Sequence, residues 1–250
     1  MRWVFLLIAA LMLSGQRDPV LVPEVSQHEV RVRQGFTGTE LLLFDAVFDP
    51  ASRGSATDYD IVVVLKGPSE PIRLREKDRV GGIWMNTASE DFRSAPVFFA
   101  VASSRPIDEI VDEKTAAIYE FGTGFIQLSP SGVIDPEEQR RFTEGLVDLR
   151  RRQGLYKQDM TGVTISEKVL YQARIALPSN VVTGIYTAET FAVADGRVIA
   201  SAVSEVAVRK VGFERFIEQS AQNNGLIYGL VAVFLSITTG WLAGRLFAIL

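Results

Sequence analysis

Few residues in this chain could do chemistry, and their spacing argues against catalysis. There is one histidine, His28, and no cysteine. Thiol nucleophiles, disulfides and thiolate metal sites are therefore excluded, and zinc has a single imidazole to bind. Any serine nucleophile would need His28 as its base. Yet His28 opens the alternating run His28–Arg33 (HEVRVR), which reads as a strand with Val30 and Val32 on one face. Asp58 and Asp60 form a D-x-D pair, but no glycine and glutamate follow at calcium-loop spacing, so a solvated loop is the expectation. Asp108, Glu109, Asp112 and Glu113 could be paired acids, but among Ile107, Ile110 and Val111 they read as the wet face of a helix. Arg150, Arg151 and Arg152 could touch lipid headgroups or an acidic partner, although stabilisation of a helix end already explains them. No catalytic, cofactor-binding or metal-binding residue is assigned, and the expected protein is not an enzyme.

Two stretches point to recognition instead. Gly81-Gly82-Ile83-Trp84-Met85-Asn86 combines paired glycines, which allow close backbone approach, with a Trp and a Met. Gly81, Gly82, Trp84, Met85 and Asn86 are thus a candidate recognition surface, against the alternative of a bulged strand with a core tryptophan. The second stretch is Gly225 to Leu250, whose one charged side chain is Arg245. Its first twenty residues, at about 1.5 Å each, cross a hydrocarbon core of about 30 Å, so a transmembrane helix is expected over 225–248. On a helical wheel Gly225, Gly229, Ala232, Ser236, Gly240 and Ala243 fall within about 80° of one another. Such a stripe lets a second helix approach closely, in a permease or a second copy of the chain.

The elements that hold these stretches are mostly strands. Glu40–Phe48, Tyr59–Lys66, Pro71–Arg75, Val80–Met85 and Val97–Ala102 are short β-rich runs punctuated by Gly, Pro and Ser. From about 105 to 155 the pattern turns helical. Its best helix has Asp135 as N-cap, Pro136 at the first position and Glu138 at capping-box spacing. Phe142, Leu146 and Leu149 mark its buried face, and Gly154 stops it. Strands resume at Gly162, with Asp195–Gly196 as the hairpin turn between Gly184–Ala194 and Arg197–Val208. The expected fold is mainly β: an antiparallel β-sandwich, immunoglobulin-like in character, over 20–210, with a helical insert and one C-terminal transmembrane helix. Residues 211–224 form a juxtamembrane segment, either an interfacial helix around Phe213, Phe216 and Ile217 or a helical extension broken at Asn223–Asn224–Gly225.

At the front, Met1–Arg2 and the apolar run Trp3–Leu13 have signal-peptide proportions, with cleavage near Gly15 or retention as an anchor as the two outcomes. Gln16 stands where a lipidated cysteine would be, which rules out lipidation. Both outcomes place the following domain outside the cytoplasm. Arg245 then lies at the cytoplasmic boundary, which fits the positive-inside rule. The net charge of −4 and the scattered basic residues do not suit nucleic acid.

Several stretches resemble a family described from alphaproteobacteria as "putative transmembrane protein". They include Phe36-Thr37-Gly38-Thr39-Glu40-Leu41, Tyr59-Asp60-Ile61-Val62-Val63-Val64, Val80-Gly81-Gly82-Ile83-Trp84-Met85-Asn86, Ser104-Arg105-Pro106 and Arg174-Ile175-Ala176-Leu177-Pro178. His28-Glu29-Val30, Leu43-Phe44, Gly154-Leu155-Tyr156, Gly184-Ile185-Tyr186 and Val211-Gly212-Phe213-Glu214-Arg215 complete the match. The resemblance implies no catalytic residues. It implies a place beside sulfite-exporter-type permeases and thus an accessory role to a transporter. The signal-like start and the C-terminal span make the expected protein a single-pass inner-membrane one with its main domain in the periplasm. The other function considered is a periplasmic module that binds a small molecule or anion and presents it to a permease.

Overall fold

The computed structural model describes residues 20–21, 24–33, 35–48, 59–166 and 170–247. The expected signal peptide over 1–15 and Asp58 lie outside the described residues. In chain order the strands begin with β1 (Val20–Leu21), β2 (Glu24–Val25), β3 (Glu29–Val32) and β4 (Gly38–Phe48). They continue with β5 (Asp60–Lys66), β6 (Ser69–Val80), β7 (Ile83–Pro96) and β8 (Phe99–Ser103). Helices α1 (Ile107–Ile110) and α2 (Glu113–Tyr119), strand β9 (Ser129–Pro130) and helix α3 (Pro136–Arg152) follow. After them come β10 (Tyr156–Asp159), β11 (Val163–Ser166), β12 (Leu170–Pro178), β13 (Gly184–Ala194) and β14 (Arg197–Lys210), then α4 (Phe213–Asn223) and α5 (Gly225–Phe247). The chain divides into two compact units, Met1–Val30 with Thr37–Val208, and Arg31–Phe36 with Arg209–Leu250.

The fold is mainly β, built from several antiparallel sheets with a helical insert and one apolar C-terminal helix, as the patterning predicts. The largest sheet runs β10-β8-β5-β13-β14-β3, and a second runs β1-β4-β12-β11 with β2 also on β4. At the centre of the largest sheet, Ile61 to Leu65 are all buried, which is why β5 reads as an unbroken apolar run and not as an alternation. One face of this sheet receives β11 and β12, which lie against β5 and β8. The inward side chains of β12, Tyr171, Ala173, Ile175 and Leu177, are buried and alternate with exposed or half-buried ones. Each such large apolar side chain contributes about 1.5–3 kcal/mol on burial. The opposite face of the sheet is covered by the insert, where Phe121 meets Phe191 of β13 at 5.0 Å between ring centroids.

One pairing departs from the antiparallel expectation. Strands β8 and β10 are neighbours and run parallel, with Phe99 opposite Tyr156. Parallel neighbours need a crossover of a dozen or more residues. The helical insert is that crossover.

In the insert, Asp135 caps α3 by accepting from the Glu137 amide at 2.9 Å, and Pro136 takes the first helical position. Glu138 pairs with Arg141 at 3.7 Å rather than closing a capping box. Gly154, at φ +71°, ends the helix, with Gly154 N–H on Arg151 O and Leu155 N–H on Arg150 O. Phe142 and Leu146 are buried as expected, but Leu149 is 48% exposed and does not belong to the buried face.

The GGIWMN stretch is a correction too. Gly81 and Gly82, at φ +60° and +89°, form the two-residue turn of a long β6–β7 hairpin. They are not a bulge within a strand, and Trp84 is 68% exposed, so it is not a core residue. The hairpin at Asp195–Gly196 forms as predicted, with both turn residues at positive φ.

In the second unit, α4 ends at Asn223 and Asn224 leaves helical geometry (φ −135°, ψ 49°), so α4 and α5 are separate helices. Among the described residues α5 is the one helix long and apolar enough to cross a membrane, and no side chain of Gly225–Arg245 is buried.

Candidate functional site

The sequence candidates for chemistry separate in space. His28 is exposed on the surface, its Nε2 3.3 Å from Glu24. Asp112 spends its carboxylate on capping α2, accepting from the Thr115 amide at 2.9 Å, and hydrogen bonding from the Thr115 side chain, then from that amide, holds its pKa below the usual range. Glu109 reaches Arg105 at 3.6 Å. Asp108, Asp112 and Glu113 line one depression of about 560 Å³, together with Gln158 and apolar residues such as Val111, Phe125 and Met160. The three arginines at the end of α3 also part company. Arg151 donates to Thr123 Oγ1 at 2.6 Å, Arg152 pairs with Asp148, and Arg150 reaches Gln153 Oε1 at 3.4 Å. Among the described residues, no three His, Asp or Glu side chains converge as metal ligands would.

Asp60, read as part of a solvated loop pair, is instead a structural clamp. Its Oδ1 accepts from Ser104 Oγ at 2.8 Å and Arg105 Nε at 2.9 Å, and Arg105 Nη2 holds Oδ2. Ser104 Oγ accepts in turn from the Ile61 amide at 3.2 Å. The start of β5 is thereby tied to the exit of β8, where the chain leaves for the crossover. The bond from Arg105 outweighs burial and lowers the Asp60 pKa below its ordinary value. A carboxylate whose folded pKa is depressed stabilises the fold above its unfolded pKa, and that stability is lost as pH falls through the folded value. Thermal unfolding of wild type and Asp60→Asn in mild detergent should therefore show a full Tm gap at neutral pH that closes below about pH 4. A gap of constant size at all pH values would remove the ion pair as its cause.

A cleft that sequence reading missed lies between the two larger sheets. It encloses about 550 Å³ and brings together Glu40, Lys157, Asp159, Thr164, Gln172 and Arg174, from β4, β10, β11 and β12. Lys157 crosses from β10 to donate to the Ala176 carbonyl at 3.0 Å, and partial burial lowers its pKa. Asp159 accepts from Thr161 N at 3.0 Å and Oγ1 at 3.3 Å, which fixes the turn below the cleft. With both signs of charge and several neutral donors, the cleft suits a small polar molecule better than an apolar one.

The recognition candidates stand at the surface. Gly81, Gly82, Trp84, Met85 and Asn86 are all exposed at the hairpin end, and a Cβ on either glycine would meet nothing within 4 Å. In α5 a Cβ at Gly225, Gly229, Gly240 or Gly244 would likewise meet nothing. Ser236 Oγ donates back to Ala232 O at 2.8 Å, so the stripe of Gly225, Gly229, Ala232, Ser236, Gly240 and Ala243 presents no free hydroxyl donor from this serine.

The apolar helix and the β-rich region before it fall within one sequence family. The model of the family described as "Putative transmembrane protein (Alph_Pro_TM)" matches residues 20–248. The chain belongs to this family. No curated protein matches it in sequence. The family match spans the Asp60–Arg105 clamp, the GGIWMN hairpin end and the whole of α5. Membership makes the protein a transmembrane one, and α5 is its candidate single span.

Proposed function

We propose that the chain is a non-enzymatic, single-pass inner-membrane protein that acts as an accessory to a membrane transporter. Its β-rich region, a sandwich of antiparallel sheets, lies on the periplasmic side, and its C-terminus is cytoplasmic. The observation that carries this reading is α5, whose apolar surface is exposed from Gly225 to Arg245. Water does not tolerate such a surface, whereas a bilayer matches its length of about 30 Å. Arg245 would cost about 2.5–3.5 kcal/mol at the bilayer centre, so it belongs at the boundary, by the positive-inside rule the cytoplasmic one. Trp241, one turn earlier, is of a type that favours the same interface. Within the bilayer the small-residue stripe is the side on which a permease helix or a second copy packs, by dispersion contact at short interaxial distance.

The chain has no cysteine, so Ser236→Cys introduces a unique thiol at the middle of the stripe. Crosslinking from that thiol in native membranes should capture a transporter subunit or a second copy. The same thiol placed at Phe234, off the stripe, should capture much less. Recovery of neither product, or equal recovery from both positions, would sink the interface.

A further inference from the structure

The β6–β7 hairpin has a base and a projecting end. At the base Phe92 is buried edge-to-face against Phe142 of α3, at 6.4 Å between centroids, and Glu76 meets Arg141 at 3.1 Å. Beyond Glu76 every side chain from Lys77 to Thr87 is exposed. The alternation of the strand then sorts them into two faces. Arg73, Arg75, Lys77 and Arg79 follow one another on one face of β6, and the register puts Trp84 beside Arg79. Val80, Ile83 and Met85 lie on the other face, together with Asp78.

The charges on the first face are only partly compensated, by Asp91, which binds Arg73 and acts on Arg75 at longer range. Arg73 is bound by both oxygens of Asp91, at 2.6 and 2.7 Å. Among the described residues, Arg75, Lys77 and Arg79 show no ion pair, and Arg79 Nε donates only to the Gly82 carbonyl at 3.2 Å. At the end of this row the apolar side chains are left in water: Val80 is 50% exposed, Ile83 73%, Trp84 68% and Met85 50%. An acidic peptide would answer the cations and leave the end wet. A purely apolar groove would answer the end and leave the cations unpaired. An anionic phospholipid surface supplies both within one depth profile, phosphates outside and hydrocarbon a few ångströms further in, where an indole ring is most at home.

We propose that this hairpin is a second membrane contact: Val80, Ile83, Trp84 and Met85 enter the headgroup boundary of an anionic bilayer while Arg75, Lys77 and Arg79 hold its phosphates. The proposal concerns the hairpin alone and stands or falls apart from the role of the small-residue stripe. Besides Trp84 the chain has Trp3 and Trp241, so Trp3→Phe with Trp241→Phe leaves Trp84 as the sole fluorophore. This full-length variant, reconstituted in vesicles, is read by its emission maximum and by quenching from lipids brominated along the acyl chain. In phosphatidylglycerol vesicles Trp84 should shift to the blue and be quenched, and both effects should weaken in phosphatidylcholine. Changing Arg75, Lys77 and Arg79 to Gln in that variant should cut the ratio of bilayer-bound to unbound hairpin, at about fivefold per cation, on the order of a hundredfold for the three. Circular dichroism reports that this exposed triple variant still folds. Unquenched Trp84 in both vesicles would overturn the proposal, as would equal quenching in both with no effect of the glutamines. An unquenched end that crosslinks to a membrane protein in native membranes would assign the hairpin to a protein partner instead.

Discussion

Gly38→Ala should lower the melting temperature of the full-length protein by about 6–12 °C, from a loss of about 3 kcal/mol. Gly38 begins β4 opposite Pro178, at one end of the β4–β12 ladder on which the second sheet is built. Its φ of +111° lies where side-chain-bearing residues are strained. A Cβ there would also stand 2.6 Å from the Leu177 carbonyl oxygen, a backbone atom that cannot rotate aside. The two strands would have to part at their paired end, or β4 would have to change its backbone conformation. Gly35→Ala separates the two causes. Gly35 also has positive φ, +80°, but open space where its Cβ would go, so only the conformational cost of about 1–2 kcal/mol applies. Thermal unfolding by circular dichroism in mild detergent checks both. A Gly38→Ala shift no larger than that of Gly35→Ala would mean that the close approach to Leu177 carries no cost.

Gly38 also illustrates what the sequence made legible. The stretches Phe36–Leu41 and Arg174–Pro178 are far apart in the chain, and the fold places them on adjacent strands with Thr39 opposite Leu177. Tyr59–Val64 and Ser104–Pro106 are joined in the same way through Asp60 and Arg105. Local signals of this kind, such as Asp195–Gly196 or the N-cap at Asp135, act over a few residues and could be read directly. The turn at Gly81–Gly82 carried the same type of signal. It was obscured because Trp84 and Met85 are types that usually seek a core, which made a single buried strand plausible. The row of cations at Arg73, Arg75, Lys77 and Arg79 has a period of two, visible only once β6 is taken as one long strand rather than two short ones.

The parallel β8–β10 pair and the inter-sheet cleft had no local signature. Lys157 and Glu40 line one cleft from strands far apart in the chain, and neither their spacing nor their type marks the encounter. The helical periodicity of the insert was plain, yet periodicity says nothing about which strands the insert connects. Its role as a crossover depends on where β10 docks, and that is decided by packing.

That packing centres on Phe121, and Phe121→Ala should cost about 3–5 kcal/mol, or about 6–20 °C in melting temperature. The side chain is fully buried, stacked on Tyr119 at 5.5 Å and edge-on to Phe191 at 5.0 Å. It is brought there by Glu120, which ends α2 at φ +54° and lets the Phe121 amide bond back to Ala116 O at 2.9 Å. Tyr119 and Phe121 thus form the contact that seats the first half of the crossover on β13, while β10 closes its far end against β8. Loss of the ring leaves a cavity beside Tyr119 and Phe191, whose rings already meet at 5.3 Å between centroids and so cannot fill it by closing on each other. Hydrogen exchange adds a local readout: amides of Tyr156–Asp159 should exchange faster in the alanine variant by more than those of β4, which belongs to the other sheet. Phe121→Leu, which keeps most of the volume, should cost no more than about 1.5 kcal/mol. An alanine variant that loses less than about 1 kcal/mol would show that the crossover is held elsewhere, with the ring only filling space.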